Sequence, residues 1–476
     1  MSATAPPGPS PLSSPPPEAW EPLLRLARLA SRPLERFLHI QAASGILLLV
    51  AAAAALAWAN SPWAESYARL WHTPIGFRVG AFAFERTLEW VVNDGLMAIF
   101  FFVVGLEIRR EVHHGELSEW RRAALPAAAA LGGMLAPAGL YLLLAGAPAT
   151  RSGWGVPMAT DIAFAVGILT LLGPRVPAAL RVLLLALAVI DDLGAIVVIA
   201  LFYSAGVAAS GLGVAALGLG AVFALQRLGV RAKLAYVPPA IVAWAGVYQA
   251  GIHPTIAGVL VGLMTPVRAW LGPEGFLEGV RKELEGFEQL AEDAPGPPSS
   301  RELAATLRHI NAARREAISP AESLIETLHP WVAFGIMPVF ALANAGVPIG
   351  GGSLDGASWG VAVAVAVGLA VGKPAGVLAA SWLALRLRLG VLPAGIGQRH
   401  LLVLGVVAGV GFTMALFIAQ LAFTEARLLA AAKLGVLAAS GGAGLLGLGL
   451  GRLLLSPTGA AGAAQTADEA ESSTTQ

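Results

Sequence analysis

Cysteine is absent from the 476-residue chain, and charged residues make up only 13% of it. Without a thiol, disulfide bonds, thiol catalysis and Cys-ligated metal centres are excluded. Soluble domains carry about 25% charged residues, so this low fraction, together with 56% hydrophobic residues and a mean hydropathy of +0.71, indicates a polytopic membrane protein. The formal net charge of +1 gives no reason to expect a nucleic-acid partner.

The two ends of the chain differ from the rest in composition. Residues 1–37 begin with a Pro- and Ser-rich stretch that lacks the basic region and apolar core of a signal peptide, so we expect a partly disordered cytoplasmic tail. Residues 454–476 are small and polar, and we expect them to be disordered as well. The segment 38–453 between them is predicted to form a single membrane domain.

Twelve apolar runs are long enough to be considered as spans of a bilayer core about 30 Å thick. They are residues 38–58, 90–107, 123–145, 156–172, 179–203, 206–225, 234–250, 252–267, 330–347, 358–385, 398–423 and 428–453. An even number of spans places both termini on one side. The termini and loops of that side hold 24 Lys and Arg residues against 5 on the other side, which predicts cytoplasmic termini. A charged cytoplasmic loop, 268–329, is predicted to form two surface helices around a flexible break.

The span 179–203 carries two adjacent aspartates, Asp191 and Asp192, in the middle of a nearly apolar run. As a helix the run rises roughly 37 Å, so the pair is expected near the centre of the bilayer. A charged side chain there costs roughly 2.5–3.5 kcal/mol on insertion scales. A single Asn or Ser would hold helices together at a lower cost. Because adjacent helix positions point about 100° apart, the two carboxylates are expected to serve different partners in a function at the midplane.

Two other spans are predicted to be broken. Pro157 and Asp161 interrupt the span 156–172. The span 398–423 contains several glycines before Thr413, a spacing that indicates either close helix packing or a break. Irregular backbone at membrane depth is tolerated only where it is buried in protein or lines a cavity. A broken helix also turns one positive and one negative dipole end toward the break.

Lys373 lies near the middle of the span 358–385, at the same predicted depth as Asp161, Asp191 and Asp192. Four unpaired charges would cost on the order of 10 kcal/mol on the insertion scale. Pairing the lysine with one acid leaves negative charge that something mobile must compensate. A proton or a small cation is the natural candidate, since oxygen ligands suit a hard cation and no thiolate or His cluster suggests a transition metal.

Seven long strings resemble the NhaA family of sodium/proton antiporters. They are NDGLMAIFFFVVGLEIRRE (93–111), ATDIAFAVGIL (159–169), LALAVIDDLGAIVVIALFY (185–203), GIHPTIAGVLVGLMTP (251–266), LHPWVAFGIMPVFALANAGV (328–347), GKPAGV (372–377) and GVGFTMALFIA (409–419). They follow the family order and cover nearly the whole membrane portion. The resemblance implies an all-α membrane protein with twelve transmembrane helices, inverted-topology repeats and two discontinuous helices crossing near the midplane. The NhaA transporters are well-known examples of this architecture. The inverted repeats and the crossing of the discontinuous helices are therefore implied by the resemblance and are not inferred from the residues themselves.

The resemblance also implies an activity: an electrogenic, pH-regulated antiporter, not an enzyme, that exports Na⁺ or Li⁺ in exchange for H⁺. Sodium and protons would be its substrates, without a cofactor, in the lipid bilayer of a bacterial inner membrane. The family forms dimers through an outer β-hairpin. Residues 72–87 alternate in part and are predicted to form such a hairpin, which implies a homodimer.

Five residues would build the transport site. Asp192 resembles the principal Na⁺ ligand of the family, and Asp191 resembles its partner, which pairs with or competes for the lysine. Lys373 resembles the lysine that compensates the negative ends of the broken helices. Asp161, with Thr160, resembles the charge that compensates their positive ends.

Other residues are implied to act around this site. Asp94 resembles a carboxylate near the cation path, and a helix cap is the alternative. The pH-sensing residues would be Glu107, Arg110, Glu111, Glu326 and His253. Pro254 replaces the family's usual small residue after His253, and the loop 268–329 is much longer than the family's, so these parts of pH sensing do not transfer directly. The spacing of 107, 110 and 111 also fits an ordinary ion cluster at a helix end.

Three other classes of membrane protein also use charges within the bilayer. An intramembrane aspartyl protease has its aspartates on separate helices, whereas Asp191 and Asp192 are adjacent. A cation channel requires a repeated filter sequence or a ring of charges, and neither occurs in the sequence. An inverted-repeat symporter for an organic or anionic substrate is the main alternative. A cavity rich in Arg or aromatic side chains at the broken helices would favour it.

Overall fold

The computed structural model describes residues 41–80, 82–204, 206–293, 300–349 and 356–456. The predicted N-terminal tail, nearly all of the predicted C-terminal tail and the predicted break between the two surface helices lie outside these ranges.

The described chain consists of helices and one β-hairpin. The helices are α1 (Gln41–Ala59), α2 (Ala64–Trp71), α3 (Leu88–His114), α4 (Trp120–Leu144), α5 (Arg151–Leu171), α6 (Ala178–Phe202), α7 (Ala209–Arg227), α8 (Val237–Gln249), α9 (Thr255–Met264), α10 (Gly272–Asp293), α11 (Ser300–Ala317), α12 (Pro320–Asn344), α13 (Gly356–Arg386), α14 (Gln398–Ala408), α15 (Phe412–Ala422) and α16 (Ala426–Leu454). Helices α3, α12 and α13 each contain a short π-helical segment, at Val91–Leu96, Val332–Ile336 and Gly368–Gly372.

Eight of the described helices are long and apolar enough to cross a membrane, and the number rises to ten if each of two bent pairs counts as one span. The bent pairs are α1 with α2, at 116°, and α14 with α15, at 44°. Helices α8 and α9 fall within the predicted runs 234–250 and 252–267, but their 13 and 10 residues are shorter than a span. The structure therefore confirms a helical membrane protein with many spans, whereas the twelve spans and the inverted repeats stay predictions.

The predicted hairpin in residues 72–87 is confirmed as two antiparallel strands, β1 (Pro74–Val79) and β2 (Phe82–Thr87). Gly80 at its tip has φ +60°, a left-handed conformation that glycine adopts without steric cost. The Thr87 hydroxyl then accepts a hydrogen bond from the Trp90 N–H and caps the start of α3. The hairpin is thus joined directly to the start of α3 at residues 87 and 88. We call the side of the helix bundle that contains this junction the hairpin end.

The predicted pair of surface helices in the loop 268–329 is confirmed as α10 and α11, which pack against each other. Their base is fixed to the membrane domain, because the Leu271 N–H donates to the Glu316 carbonyl at 3.0 Å and Arg231, from the α7–α8 loop, pairs with the Glu316 carboxylate. Helix α12 begins at Pro320, earlier than the predicted start at 330. The last part of the predicted loop is therefore the first part of a span.

Close contacts between small residues position the helix that carries Lys373. A Cβ atom on Gly376 of α13 would lie 2.1 Å from the carbonyl oxygen of Gly132 in α4. A Cβ atom on the neighbouring Gly133 would lie 3.8 Å from the Lys373 side chain. Backbones that approach this closely require glycine at the contact, as is common between membrane helices. Helix α4 therefore lies against one side of the Lys373 side chain.

Candidate ion-binding site

The two interrupted segments contact each other at their breaks. Helix α5 begins as a 3₁₀-helix that ends at Met158, and it resumes as an α-helix at Ile162. The pair α14–α15 is bent at residues 409–411. The Asp161 N–H donates to the Val410 carbonyl at 2.8 Å, so the irregular backbone of one break satisfies a polar group of the other. Both predicted breaks are confirmed, and they lie together.

Asp161 lies between the N-termini of the two half-helices that leave the breaks. Its Oδ1 accepts a hydrogen bond from the Phe164 N–H at 3.0 Å, as the N-cap of the second half of α5. Its Oδ2 accepts from the Thr413 N–H at 3.1 Å and from the Thr413 hydroxyl, in the first turn of α15. The neighbouring Thr160 hydroxyl donates to the Ala408 carbonyl at 3.0 Å. A carboxylate in this position compensates the positive ends of both helices.

Lys373 follows the π-helical segment of α13 and reaches the opposite side of the α5 break. Its ammonium donates to the Met158 carbonyl, at the end of the 3₁₀ half of α5, and to Asp191 Oδ2 at 2.7 Å. Both side chains of the ion pair are 0% exposed. The carbonyls at a helix C-terminus carry partial negative charge. The lysine therefore compensates one negative helix end and one buried acid at the same time.

Asp191 and Asp192 lie near the middle of α6, and each is 1% exposed. The Oδ1 atom of each carboxylate is buried and has no hydrogen-bond partner among the described residues. The neighbouring Asp191 carboxylate, and more weakly Glu107 and Asp161, disfavour a charge on Asp192, whereas the Lys373 ammonium favours one. A buried acceptor without a donor costs about 1–3 kcal/mol, and more when it is charged. Unpaired carboxylate oxygens of this kind are suitable ligands for a proton or a hard cation.

Asp94 and His253 form a second group, separate from the acids of α6. Asp94 lies in the π-helical segment of α3, well inside a helix that began at Leu88, so it does not cap a helix. His253 Nδ1 is 3.9 Å from Asp94 Oδ1, and the His253 ring lies against Phe417 with 5.1 Å between centroids. Among the described residues, no hydrogen bond or ion pair links Asp94 to Asp192.

Three of the residues implied in pH sensing, Glu107, Arg110 and Glu111, lie in the last turns of α3, opposite the hairpin end. Arg110 pairs with Glu322 of α12 at 3.5 Å, and both side chains are substantially exposed. Glu326 lies one turn further along α12 and is exposed. The structure thus places Arg110 at the contact between α3 and α12, with Glu326 one turn from its partner Glu322. The Glu111 carboxylate instead accepts a hydrogen bond from the Glu116 N–H at 2.7 Å. The structure does not bring these residues to His253, which lies beside Asp94.

Several contributors to this region were not singled out in the sequence. The Thr413 hydroxyl binds Asp161, and its position just after the glycines of a predicted break was an available signal. The Met158 carbonyl binds Lys373, but a backbone group leaves no signature in a sequence. Asn344 and Gln420 form a further polar contact near the hairpin end. Each of them interrupts an apolar run, which was also an available signal.

Comparison with known proteins identifies the family. The profile of the family described as Na⁺/H⁺ antiporter 1 matches residues 35–450. The chain is 75% identical over 474 residues to the Na(+)/H(+) antiporter NhaA 2 of Myxococcus xanthus, which covers 100% of both chains. It is 58% identical to the protein of the same name from Sorangium cellulosum, over 98% of this chain and 99% of that one. A further relative of that name, from Pseudomonas putida, is 52% identical over 89% of this chain and 93% of its own. The chain therefore belongs to the Na⁺/H⁺ antiporter 1 family, which includes the NhaA proteins, and is a multi-pass bacterial membrane protein.

Proposed function

We propose that the protein exchanges Na⁺ or Li⁺ for H⁺ across the bacterial inner membrane. One observation carries this proposal: Asp191 and Asp192 each keep a buried oxygen without a donor among the described residues, while the nearby Lys373 is already engaged. The names of the relatives, all Na(+)/H(+) antiporters, support the same ion pair. The ions and protons are substrates, and no cofactor takes part in the proposed cycle.

Coupling follows from competition for the same oxygens. An apolar environment favours the neutral form of a carboxylic acid, so Asp192, which no basic side chain of the described residues binds, holds a proton when no cation is bound. A sodium ion binds only the deprotonated form, since it needs the oxygen lone pairs that the proton occupies. Carrying bare carboxylates through a closed, dry intermediate is costly. The binding site therefore switches between opening to the cytoplasm and opening to the outside when either substrate is bound, and it does not switch when it is empty.

The site residues take distinct parts in this cycle. Asp192 is the principal cation ligand, because no basic side chain among the described residues binds it. Asp191 joins it when it leaves Lys373, and the freed lysine remains with the α5 carbonyl. Asp161 and Thr160 hold the two breaks together from the positive side. Exchange is electrogenic, with more protons entering than sodium ions leaving, and the protons are carried by the two α6 acids or by one of them with Lys373.

The same proposal includes the architecture that the resemblance implies. Helices α8 and α9 occupy the remaining two of twelve spans, and the two breaks that meet at Asp161 belong to inverted repeats. The excess of Lys and Arg on the side of the termini supports cytoplasmic termini and a hairpin end that faces outward. The hairpin β1–β2 then joins two copies in a homodimer.

Regulation by pH is proposed to act at the cytoplasmic end of α3 and at Asp94 with His253. A negative charge on Glu107 disfavours a charge on Asp192, so protonation of Glu107 changes the electrostatics of the site. Arg110 lies at the α3–α12 contact that would transmit the change, with Glu111 next to it in α3 and the exposed Glu326 in α12.

The experiment is exchange in everted membrane vesicles with an acid interior, read by a dye that reports the pH gradient. Adding Na⁺ or Li⁺ to wild-type vesicles should dissipate the gradient. Asp192→Asn should abolish the response, whereas Glu119→Gln, at an exposed loop position, should leave it intact. Wild-type exchange in Asp192→Asn would show that the binding site is misplaced. A response to organic anions but not to sodium or lithium would favour a symporter instead.

A further inference from the structure

A polar cluster lies at the hairpin end of the bundle, apart from the acids of α6. Its members come from four helices and are Glu89 and Asn93 of α3, Asn344 of α12, Gln420 of α15 and Lys433 of α16. The Gln420 amide donates to Asn344 Oδ1 and, at 3.5 Å, to Glu89 Oε1. The Asn344 amide donates to Asn93 Oδ1 at 2.8 Å. A chain of amides thus leads from Glu89 to the residue that precedes Asp94.

Of the two charged groups of this cluster, Lys433 is buried and Glu89 is half-buried, and they are not in direct contact. Lys433 is 9% exposed, Asn344 is 0% exposed, and Glu89 is half-buried. Lys433 and Glu89 attract each other electrostatically. They do not form an ion pair in the described part of the chain, since the ammonium nitrogen and the carboxylate oxygens are more than 4.0 Å apart. The long bond from Gln420 is the one hydrogen bond that the Glu89 carboxylate accepts from the described residues. A carboxylate has about four lone-pair positions, so Glu89 keeps most of its acceptor capacity.

This composition suits a monovalent cation better than it suits helix packing. Hydrogen bonds between carboxamides would be enough to join the helices, and they do not require a buried ammonium held apart from a carboxylate. One carboxylate with nearby carboxamide oxygens is a donor set for a hard cation. The tethered ammonium of Lys433 compensates Glu89 when no ion is bound, and an arriving ion competes with it for the same charge.

We propose that these five residues form a cation site at the outer mouth of the ion path, where a partly hydrated Na⁺ or Li⁺ stops between the outer solution and Asp94. Glu89 supplies the negative charge, the carboxamides of Asn93, Asn344 and Gln420 supply oxygen ligands, and Lys433 sets how tightly the ion is held. The inference rests on the proposed exchange activity and on the hairpin end facing outward. It adds a binding step on one side of the membrane only.

The experiment measures the apparent KM for Na⁺ separately from each face, in proteoliposomes of defined orientation. Glu89→Gln should raise the outer-face KM by about 10-fold, the low end of the effect of charge on ion capture, and leave the inner-face KM unchanged. Lys433→Gln should shift the outer-face KM in the opposite direction, because it removes the competing charge. Glu85→Gln is the matched control, since it removes an exposed carboxylate from the nearby hairpin.

The outcomes separate this inference from the proposed function. If wild-type protein shows no sodium-dependent proton movement from either face, the exchange activity itself is refuted. If wild type exchanges and Glu89→Gln has the same KM as wild type, or changes both faces equally, the outer site is refuted. If Glu89→Gln does not fold, Lys433→Gln decides: a lower outer-face KM supports the site, and an unchanged or higher one overturns it.

Discussion

The ion pair between Asp191 and Lys373 should be far more costly to break from one side than to remove as a whole. The two charges are 2.7 Å apart and both side chains are fully buried. Lys373→Met would leave Asp191 without the one donor that it has among the described residues. Asp191→Asn would leave the ammonium with the Met158 carbonyl and a neutral amide. Each single substitution should lower the free energy of unfolding by about 3–5 kcal/mol, the usual cost of an uncompensated buried charge.

The double variant Asp191→Asn with Lys373→Met removes both charges together. Its loss of unfolding free energy should be smaller than the sum of the single losses, with a coupling of about 2–3 kcal/mol, as for directly contacting groups. The measurement is denaturation in mixed detergent micelles with increasing dodecyl sulfate. Ser381→Ala on the same helix is the control, because its buried hydroxyl has no hydrogen-bond partner among the described residues. It should leave the free energy of unfolding unchanged or raise it, because it removes a buried polar group that lacks a partner there. Strictly additive losses would refute the pairing.

Three further predictions concern the surroundings of the site. Thr413→Val removes a hydrogen bond to the Asp161 carboxylate and should lower both the exchange rate and the free energy of unfolding, the latter by about 1.5–3 kcal/mol. Thr413→Ser keeps the hydroxyl and should retain both. A Thr413→Val protein with wild-type exchange and stability would exclude a role for the hydroxyl. Gly376→Ala places a Cβ atom 2.1 Å from a backbone oxygen of α4 and should reduce both stability and exchange. Gly139→Ala is the control, because its Cβ atom would have nothing within 4 Å, and it should be neutral or stabilising. Equal effects of the two substitutions would contradict the close packing of α4 against α13. Replacing the hairpin strands with a short flexible linker should convert dimers to monomers in light scattering, and an intact dimer would show that another surface joins the copies.

The sequence was most informative where physics leaves few alternatives. Acids and a lysine inside apolar runs are so costly in lipid that their burial in the protein could be predicted directly, and the structure buries Asp161, Asp191, Asp192 and Lys373. Proline and glycine in the spans predicted both breaks. The hairpin was predicted from the family resemblance together with a partly alternating pattern, and the pair of surface helices from charge and composition.

The partners of these residues could not be predicted in the same way. Composition does not decide which acid Lys373 binds, because that depends on the packing of α13 against segments far away in the chain. The binding of Asp161 to Thr413 joins residues that only the meeting of the two breaks brings together. Backbone acceptors such as the Met158 carbonyl have no side-chain signature. Span ends were also shifted where a polar loop continued into a helix, as at Pro320.

The most direct test of the account is to titrate detergent-solubilised protein with Na⁺ at several pH values while measuring the protons it releases. Competition at the α6 acids predicts that Na⁺ binding releases protons, that the apparent Kd for Na⁺ falls as the pH rises, and that Asp192→Asn abolishes the release. Sodium binding with a Kd independent of pH and without proton release would contradict the central claim that the two ions share one site.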